Sequence, residues 1–408
     1  MAQPAVKSTA LWVLRRLRGA GFQALLAGGC VRDMLLGVRS ADYDVATSAT
    51  PRQVKRLFGH VLLVGEKFGV AMVIHRGRKV EVTTFRSDLS YSDGRRPDGV
   101  RFAAAREDAA RRDFTINGMF YDPIARRLVD YVGGKADLKA KIVRTIGSPD
   151  ERFAEDYLRM LRAVRFAVAL SFKIDPATAA AIKKRAAGIT SISGERIFDE
   201  LSKMLSRNSA AEALRKLREL SLARSMLPEL FDRRKLWQAA IERAKCVAGR
   251  QSLVLALGAV VLDLPARQIR RIVRRWGGSN ELAGCLCWLG EHRDDWQRAA
   301  DMPLCDFKRL MADRGFDDLR LLWRFQERRA TGREALSRRI ARRASGVPKE
   351  KIAPRPLVTG DDLKRIGLPE GPRLGSLLRA IYDAQLSEEI ATRAEAMAMA
   401  RKMIDGAK

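Results

Sequence analysis

The sequence is poor in cysteine and contains no long hydrophobic run. Its five cysteines are an odd number, widely scattered and without the paired CxxC spacing of a zinc site. They argue against a disulfide framework and indicate reduced thiols. No apolar segment approaches the roughly 20 residues that span a bilayer, and the first residues lack the apolar core and cleavage site of a secretory signal. We therefore expect a cytoplasmic protein that does not enter a membrane.

Acidic residues are scarce relative to basic ones. The 408 residues include 77 Lys and Arg against 48 Asp and Glu, which gives a formal net charge of +29. This excess is larger than solubility requires and indicates a polyanionic partner such as a nucleic acid. Solvated arginine faces are the alternative explanation. With 47% hydrophobic residues, the chain can bury a large core, and its length fits two or three domains.

The hydrophobic pattern changes near residue 150. Before it, β-rich runs alternate with helical stretches, and strands are predicted at residues 25–27, 43–46, 61–64, 70–74 and 79–85. After it, apolar residues recur with helical spacing. We therefore predict an α+β protein, with a mixed sheet and flanking helices followed by an all-helical region. The Arg-rich segment at residues 10–20 favours a first packed helix over a transit peptide, because the fold begins directly after it.

Two glycines follow the first predicted strand. Gly28 and Gly29 stand between that strand and a short helical pattern that contains Arg32. A glycine turn lets the backbone approach a phosphate closely, and an arginine one turn further adds a charged donor. These three residues are therefore candidate phosphate contacts. Taken alone, paired glycines at a turn are usually only a turn.

A pair of aspartates follows the helix. A strand over residues 43–46 would direct Asp42 and Asp44 to the same face, because side chains alternate along a strand. Two neighbouring carboxylates repel each other unless a cation lies between them, and Mg²⁺ prefers oxygen ligands and also binds nucleotide phosphates. We therefore predict Mg²⁺ ligands at both aspartates and a third catalytic carboxylate at Glu81. A solvated loop is the alternative for the aspartate pair.

Two further clusters contain arginines. The stretch RRDFTIN at residues 111–117 places two arginines beside a helix start, where Arg112 is a candidate triphosphate clamp. Downstream, Asp156, Arg159 and Arg162 have the i, i+3, i+6 spacing of one helix face. Surface charges and ion pairs within the helix are the simpler explanations of these clusters.

Five motifs occur in a fixed order along the first half of the chain. They are GGxVRD at residues 28–33, DxD at 42–44, EVTTFR at 81–86, RRDFTIN at 111–117 and EDxxR at 155–159. In this order and spacing they resemble bacterial class II tRNA nucleotidyltransferases and poly(A) polymerases. The resemblance is strongest over residues 25–205 and recurs weakly at 359–375.

The resemblance implies a head, neck, body and tail. These would occupy residues 1–150, 151–205, 206–335 and 336–408, with a nucleotidyltransferase palm in the head and RNA binding by the tail. It implies Mg²⁺ binding by the aspartate pair, and phosphate contacts from the glycine turn and the head arginines. It also implies that a neck helix selects the incoming nucleotide, through Asp156, Arg159, Arg162 and Arg165.

Base selection by the neck helix follows from hydrogen bonding. Cytosine and adenine each present an amino donor beside a ring-nitrogen acceptor, whereas uracil and guanine present the reverse order. The Asp156 carboxylate can accept from the amino group while Arg159 donates to the ring nitrogen. A wrong base mispairs both groups and costs roughly 1 to 3 kcal/mol. We therefore expect CTP and ATP as substrates.

Three activities remain open within this family. Residues 63–70 resemble the tRNA enzymes more than the polymerases, and residues 86–100 look like the flexible loop of enzymes that add the whole CCA sequence. The chain is therefore expected to add CMP and AMP to the tRNA 3′ end by two-metal catalysis, with release of diphosphate. A-only addition and poly(A) synthesis are alternatives within the family, and a non-catalytic RNA-binding protein is the alternative from another class.

Overall fold

The structure, a computed structural model, describes residues 3–89, 99–205, 208–250 and 252–405. The chain forms two compact units. The first comprises Met1–Trp237 and Arg274–Gly278, and the second comprises Gln238–Val273 and Ser279–Lys408. The first boundary falls inside the predicted body, and the four-part division of the chain stays a prediction. Residues 90–98, which form most of the predicted flexible loop, lie outside the described residues.

Most of the strands belong to the first 150 residues. They are β1 (Ala24–Ala27), β2 (Asp44–Thr47), β3 (Val61–Gly65), β4 (Val70–His75), β5 (Arg78–Thr84), β6 (Arg86–Asp88), β7 (Val100–Phe102), β8 (Phe120–Asp122), β9 (Arg127–Val129), β10 (Ile142–Val143) and β11 (Lys173–Ile174). The five predicted strands correspond to β1–β5, and no end differs by more than one residue.

A seven-stranded mixed sheet lies at the centre of the first unit. Its strand order is β3-β4-β5-β2-β1-β8-β9. β1 pairs antiparallel with β2 and with β8, whereas β2 and β5 run parallel. Every residue of β1 is buried, because it is an apolar strand with a neighbour on each side. Leu25, Ala46, Phe85 and Phe120 belong to the core beside it.

Helices make up most of the remaining chain. In the first unit they are α1 (Gln3–Gly19), α2 (Gly29–Leu35), α3 (Pro51–Leu57), α4 (Ala105–Ala110), α5 (Gly134–Ala140), α6 (Pro149–Glu155), α7 (Leu158–Leu170), α8 (Pro176–Arg185), α9 (Gly194–Leu205), α10 (Ala210–Glu219), α11 (Leu222–Met226) and α12 (Pro228–Phe231). Sequence signals fix several of their starts. Thr50 and Gln53 form a capping box before α3, and the Asp175 carboxylate accepts a bond from the Thr178 amide at the start of α8.

The later helices continue without strands among the described residues. They are α13 (Arg234–Cys246), α14 (Leu253–Val261), α15 (Ala266–Arg275), α16 (Asn280–Glu291), α17 (Leu304–Ala312), α18 (Phe316–Thr331), α19 (Ala335–Ser345), α20 (Gly360–Arg365), α21 (Pro372–Leu386) and α22 (Arg393–Asp405). Short 3-10 helices occur at Glu66–Phe68, Thr115–Asn117, Ala186–Ser191, Asp295–Gln297 and Lys349–Lys351. The last three α-helices share an apolar core that includes Leu363, Ile381 and Ala400.

The predicted α+β class is confirmed. One detail differs, because the short strand β11 lies within the region predicted to be entirely helical. It exists because Ile142 and Val143 of β10 pair with it in parallel, a contact that a local hydrophobic pattern does not reveal. Among the described residues, every helix is too short or too polar to cross a bilayer.

Candidate active site

A cleft of about 510 Å³ in the first unit gathers most of the predicted site residues. Its lining includes the two turn glycines and a set of acidic residues, arginines and one amide. These residues are Gly28, Gly29, Arg32, Asp44, Glu81, Arg86, Arg111, Arg112, Asp113, Asn117, Asp156, Arg159, Arg162 and Arg196. Two predicted residues, Asp42 and Arg165, are not among the residues that line it.

The acidic end of the cleft is built by two parallel strands. Val45 of β2 is opposite Val82 of β5, so the residues just before them, Asp44 and Glu81, lie side by side on the same face. Burial raises the pKa of Asp44 to about 6, and the charges of Glu81 and Asp42 add to this effect against the opposing charge of Arg112. The cleft therefore concentrates negative charge at this point.

Asp42 lies just before strand β2. β2 begins at Asp44, so strand pairing does not orient Asp42, whose side chain is exposed. The nearby Ser40 hydroxyl donates to the backbone carbonyl of Asp42 at 2.8 Å. Strand pairing therefore does not determine the direction of the Asp42 side chain, although its charge still acts on Asp44.

The donor chemistry of these carboxylates fits a divalent cation. Carboxylate oxygens that repel one another are stabilised by a hard cation such as Mg²⁺. The described residues contain no group of three or more His, Cys, Asp or Glu arranged around one metal position. Asp44 with either Asp42 or Glu81 would therefore hold the metal with few protein ligands, as is usual for Mg²⁺ that also binds substrate phosphates.

The two turn glycines have different surroundings. Gly28 has φ 72° and ψ −134°, a conformation that side chains disfavour. A Cβ atom on Gly28 would lie 3.1 Å from Nη1 of Arg112, whereas a Cβ on Gly29 would meet Nη2 of Arg32 at an ordinary 3.7 Å. Gly28 is therefore required both by the turn and by the arginine beside it.

Arg32 and Arg112 are each held by a neighbouring carboxylate. Nε and Nη2 of Arg32 donate to Asp33 at 2.9 and 2.7 Å, and its Nη1 donates to the Asn117 side chain at 2.8 Å. Arg112 donates to Asp108 through Nη2 at 2.9 Å. These contacts fix both guanidinium groups in the cleft, as expected for anion-binding arginines.

Asp113 connects the RRDFTIN segment to α7. Its Oδ2 accepts bonds from Arg162 at 2.6 and 2.8 Å, and its Oδ1 accepts from the Phe114 amide at 2.8 Å and from Asn117 at 3.3 Å. Burial alone would raise the pKa of Asp113, but the charge and hydrogen bonds of Arg162 lower it below its ordinary value. The carboxylate is therefore ionised and fully engaged.

Asp156 lies outside a helix, contrary to the prediction. It separates α6 from α7 with extended φ −155° and ψ 106°, and its Oδ1 accepts a bond from the Leu158 amide at 3.0 Å. Its carboxylate pairs with Arg196 of α9 at 2.8 Å. The predicted single helix face fails here, because Asp156 has an extended backbone and its carboxylate accepts from the first amide of α7, that of Leu158.

The other neck arginines have separate partners. Arg159 pairs with Glu155 and donates to the Arg152 carbonyl at 3.1 Å. Arg165 pairs with the buried Glu200 at 2.6 Å and lies over the Phe166 ring. Arg159 lines the cleft, whereas Arg165 helps to pack α7 against α9 through its ion pair with Glu200.

Several cleft residues were missed by the sequence argument. Arg86 and Arg111 stand within the quoted motifs and could have been included as charged motif residues. Asn117 is the last residue of the RRDFTIN motif and could have been included as a polar motif residue. Asp108 has the i, i+3 and i, i+4 spacing of helical ion pairs with Arg111 and Arg112, but its complete burial has no local signal. Arg196 pairs with Asp156, which lies 40 residues earlier in the sequence.

Two family models match the chain. "Poly A polymerase head domain" matches residues 24–144, and "Probable RNA and SrmB- binding site of polymerase A" matches residues 171–233. The first match contains the sheet and the RRDFTIN segment, and the second begins just after α7.

Relatives of two kinds are similar to the chain. The CCA-adding enzyme of Geobacillus stearothermophilus is 34% identical over 410 residues, with 95% of this chain and 94% of the relative covered. Poly(A) polymerase I of Salmonella typhi is 41% identical over 236 residues, which are 55% of this chain and 51% of the relative. The chain thus spans nearly the whole of the first relative and about half of the second.

A solved structure matches over the same extent. The crystal structure of the Bacillus stearothermophilus CCA-adding enzyme in complex with CTP is 30% identical, with a TM-score of 0.80 and coverage of 97% of this chain and 98% of that one. Sequence identity above 30% along nearly the full length of a relative, with the same fold, defines a common family. The chain therefore belongs to the nucleotidyltransferase family of CCA-adding enzymes and poly(A) polymerases.

Proposed function

We propose that the chain adds CMP and AMP from CTP and ATP to the 3′ end of tRNA, without a nucleic-acid template, and so completes the CCA sequence. The observation that carries the proposal is the nearly full-length similarity to a CCA-adding enzyme, against half-length similarity to a poly(A) polymerase. The net charge of +29 supports an RNA partner. We expect a protein with this activity to act in the cytoplasm.

The acidic end of the cleft is the proposed site of bond formation. The tRNA 3′ hydroxyl attacks the α-phosphorus of the nucleotide, the bond to the β-phosphate oxygen breaks, diphosphate leaves, and the hydroxyl proton passes to solvent. Asp42 and Asp44 are the proposed Mg²⁺ ligands, with Glu81 beside them as a third carboxylate. When bound, two such ions activate the hydroxyl and stabilise the leaving diphosphate.

The opposite lining would bind the nucleotide. The turn at Gly28 and Gly29, together with Arg32 and Arg112, is proposed to contact the phosphates, because these donors are fixed before substrate arrives. Arg162 lines the same cleft and is held by a buried carboxylate, which supports an electrostatic contribution to this binding. Arg165 is not one of the proposed phosphate contacts, because its guanidinium group pairs with Glu200.

Base selection is proposed for Asp156 and Arg159. Both line the cleft, so one base edge can meet a carboxylate acceptor and a guanidinium donor together. The amino group and ring nitrogen of cytosine or adenine fit this pair, whereas uracil and guanine would leave both protein groups mispaired. Binding of tRNA by residues 336–408, and the bounds of head, neck, body and tail, belong to the same proposal.

The proposal is tested by nucleotide incorporation. Purified protein is incubated with Mg²⁺, labelled CTP, ATP or both, and tRNA that lacks its CCA end. We expect two C additions with CTP, followed by one A when ATP is present. AMP addition only to tRNA ending in CC would support the A-only alternative, and continued AMP addition would support poly(A) synthesis.

Variants separate catalysis from RNA binding. Asp44→Asn is expected to remove incorporation while tRNA binding persists, because the substitution removes a charge at the acidic end of the cleft. The control Asp150→Asn changes a partly exposed aspartate that pairs with Lys184 and Arg185, and it should leave incorporation unchanged. If the wild-type protein binds tRNA without any incorporation, and Asp42→Asn makes no difference, the non-catalytic alternative is correct.

A further inference from the structure

Asp108 is a buried carboxylate that holds two arginines of the cleft. Its side chain has no exposed surface. Oδ1 accepts bonds from Nε and Nη2 of Arg111 at 2.9 and 2.7 Å, and Oδ2 accepts from the same atoms of Arg112 at 3.2 and 2.9 Å. Because each oxygen binds the side edge of one guanidinium group, this single residue sets the direction of both arginines.

The bonds to Asp108 also determine where the Nη1 groups of Arg111 and Arg112 point. Nη1 of Arg112 lies 3.4 Å from the Asn117 carbonyl and 3.1 Å from the position of a Cβ on Gly28. Nη1 of Arg111 lies 3.8 Å from the Asp88 carboxylate. Arg112 thus extends along the glycine turn, where the nucleotide phosphates are proposed to bind.

Asp108 also connects these arginines to the hairpin of β6 and β7. The backbone N–H of Arg86 in β6 donates to Asp108 Oδ1 at 3.4 Å, and Nε of Arg86 donates to Asp88 at 3.3 Å. Three arginines and two aspartates form one cluster with one net positive charge. Such a cluster is pre-organised for an anion, because its cations are ordered before the anion binds.

We propose that Asp108 is a positioning residue for nucleotide binding, which holds Arg111 and Arg112 in the arrangement that receives the triphosphate. The inference rests on the proposed function, in which Arg112 contacts the phosphates. An arginine without this anchor must be ordered when the nucleotide binds, and this ordering costs affinity. A carboxylate that only neutralised buried charge would affect stability and leave nucleotide affinity unchanged.

The test is Asp108→Asn in the full-length protein. Asparagine keeps the size of the side chain but offers one acceptor oxygen, so its NH₂ group opposes one of the guanidinium groups. With tRNA primers that accept C or A, we expect the KM for CTP and the KM for ATP to rise by the same factor, about tenfold, which corresponds to about 1.4 kcal/mol. The inhibition constant of inorganic diphosphate should rise in parallel, because this probe has phosphates and no base.

Base selection gives a second readout. The preference for CTP over UTP should not change in Asp108→Asn, since the lost positioning concerns phosphate contacts. A changed preference with an unchanged diphosphate inhibition constant would overturn the proposal. This combination separates Asp108 from a residue that contacts the base.

Asp175→Asn is the matched control. Asp175 is also buried and also pairs with an arginine, since Arg144 Nη1 lies 2.7 Å from its carboxylate. It caps α8 and does not line the cleft. We expect a lower thermal midpoint in this variant without a change in either KM. Equal KM values in wild type, Asp108→Asn and Asp175→Asn would show that Asp108 is only structural.

Asp88→Asn keeps the test informative if Asp108→Asn does not fold. Asp88 contacts Arg86 and Arg111, so loss of its charge should loosen Arg111, one of the two arginines that Asp108 holds, and raise the KM values about two- to threefold. An unchanged KM in this variant would then contradict the proposal. If the wild-type protein adds neither C nor A, the proposed function itself fails. If the wild-type protein is active and the variants have the same KM values as wild type, only the proposed role of Asp108 fails.

Discussion

Asp113 and Arg162 form an ion pair with 2.6 Å between Oδ2 and Nη2, although 49 residues separate them in the sequence. The pair joins the RRDFTIN segment to α7. Asn117 donates to the same aspartate and accepts from Arg32, so a continuous chain of hydrogen bonds runs from α2 to α7. Arg32 and Arg162, which lie far apart in the sequence, are thus linked through Asn117 and the buried carboxylate of Asp113.

The first prediction concerns the pH dependence of stability. The pKa of Asp113 is lowered in the folded protein, so its stabilising effect is complete above the ordinary aspartate pKa of about 3.9 and is lost as the pH falls below it. We expect Asp113→Asn to lower the free energy of unfolding by about 1.5 to 3 kcal/mol at pH 7, as for hydrogen bonds to charged groups. The difference from wild type should shrink as the pH falls.

Urea unfolding between pH 7 and pH 3 checks this prediction. Asp150→Asn is the control, because its aspartate forms ion pairs at the exposed surface, where such pairs contribute little. A constant difference between wild type and Asp113→Asn across the whole pH range would contradict the assigned ionisation of Asp113.

The strands that the sequence predicted are those with a local signal. β1 to β5 have runs of apolar or β-branched residues, and such runs identify a strand without knowledge of its partner. β8 and β9 have three residues each. They were missed because β8 is a strand only through its pairing with Leu26 and Ala27 of β1.

The site was predictable in its residue types and less so in its geometry. The motifs identified Arg112 and Asp156, but they did not reveal the burial of Asp108 beside Arg112 or the pairing of Arg196 with Asp156 across 40 residues. Helical spacing placed Asp156 inside a helix, although its carboxylate caps the next helix instead. The family resemblance also grouped Arg165 with the nucleotide-selecting residues, although its guanidinium group pairs with the buried Glu200.

The second prediction compares the two turn glycines. Gly28→Ala places a side chain on a backbone with φ 72° and brings its Cβ to 3.1 Å from Arg112. We expect a loss of about 1 to 3 kcal/mol of stability from backbone strain, and a higher KM for both nucleotides because Arg112 must move. Thermal unfolding and incorporation kinetics measure the two effects.

Gly29→Ala is the matched substitution one residue later. Its φ is not in the left-handed region, and its Cβ would make only ordinary contact with Arg32. We therefore expect stability within about 1 kcal/mol of wild type and a smaller change in KM. Equal losses in the two variants would refute the specific role assigned to Gly28.

The third prediction concerns the start of α9, the helix that carries Arg196. A Cβ on Gly194 would lie 2.1 Å from the backbone oxygen of Arg275 and 2.9 Å from the carbonyl carbon of Trp276. Because backbone atoms cannot turn aside as a side chain can, Gly194→Ala must displace one of the two segments. We expect a loss of about 1 to 3 kcal/mol or more, measured by thermal unfolding.

A helical glycine with free space provides the control for this clash. Apart from its chain neighbours and the backbone of its own helix, no described residue has an atom within 4 Å of the Cβ position of Gly284 in α16. Gly284→Ala should therefore be neutral or stabilise the protein by up to about 1 kcal/mol. If Gly194→Ala and Gly284→Ala changed the thermal stability by the same amount, this result would contradict the close approach of the Arg275 backbone to α9.

The fourth prediction concerns the orientation of Asp156. Arg196 contacts both of its carboxylate oxygens, at 2.8 and 3.3 Å, and the Leu158 amide contacts one of them. A base-reading carboxylate must present its lone pairs in a fixed direction, so loss of Arg196 should weaken selection more than it weakens phosphate binding. Arg196→Met keeps the length of the side chain and removes the charge and the donors.

We expect the preference of Arg196→Met for CTP over UTP to fall about tenfold, which lies within the roughly 1 to 3 kcal/mol of a bidentate base contact. Competition between labelled CTP and UTP on tRNA that lacks its CCA end measures the ratio. Arg185→Met, which removes an arginine paired with the partly exposed Asp150, should keep the wild-type ratio. An unchanged ratio in Arg196→Met would mean that the amide at the start of α7 orients Asp156 without help, because that bond is the remaining contact described for its carboxylate.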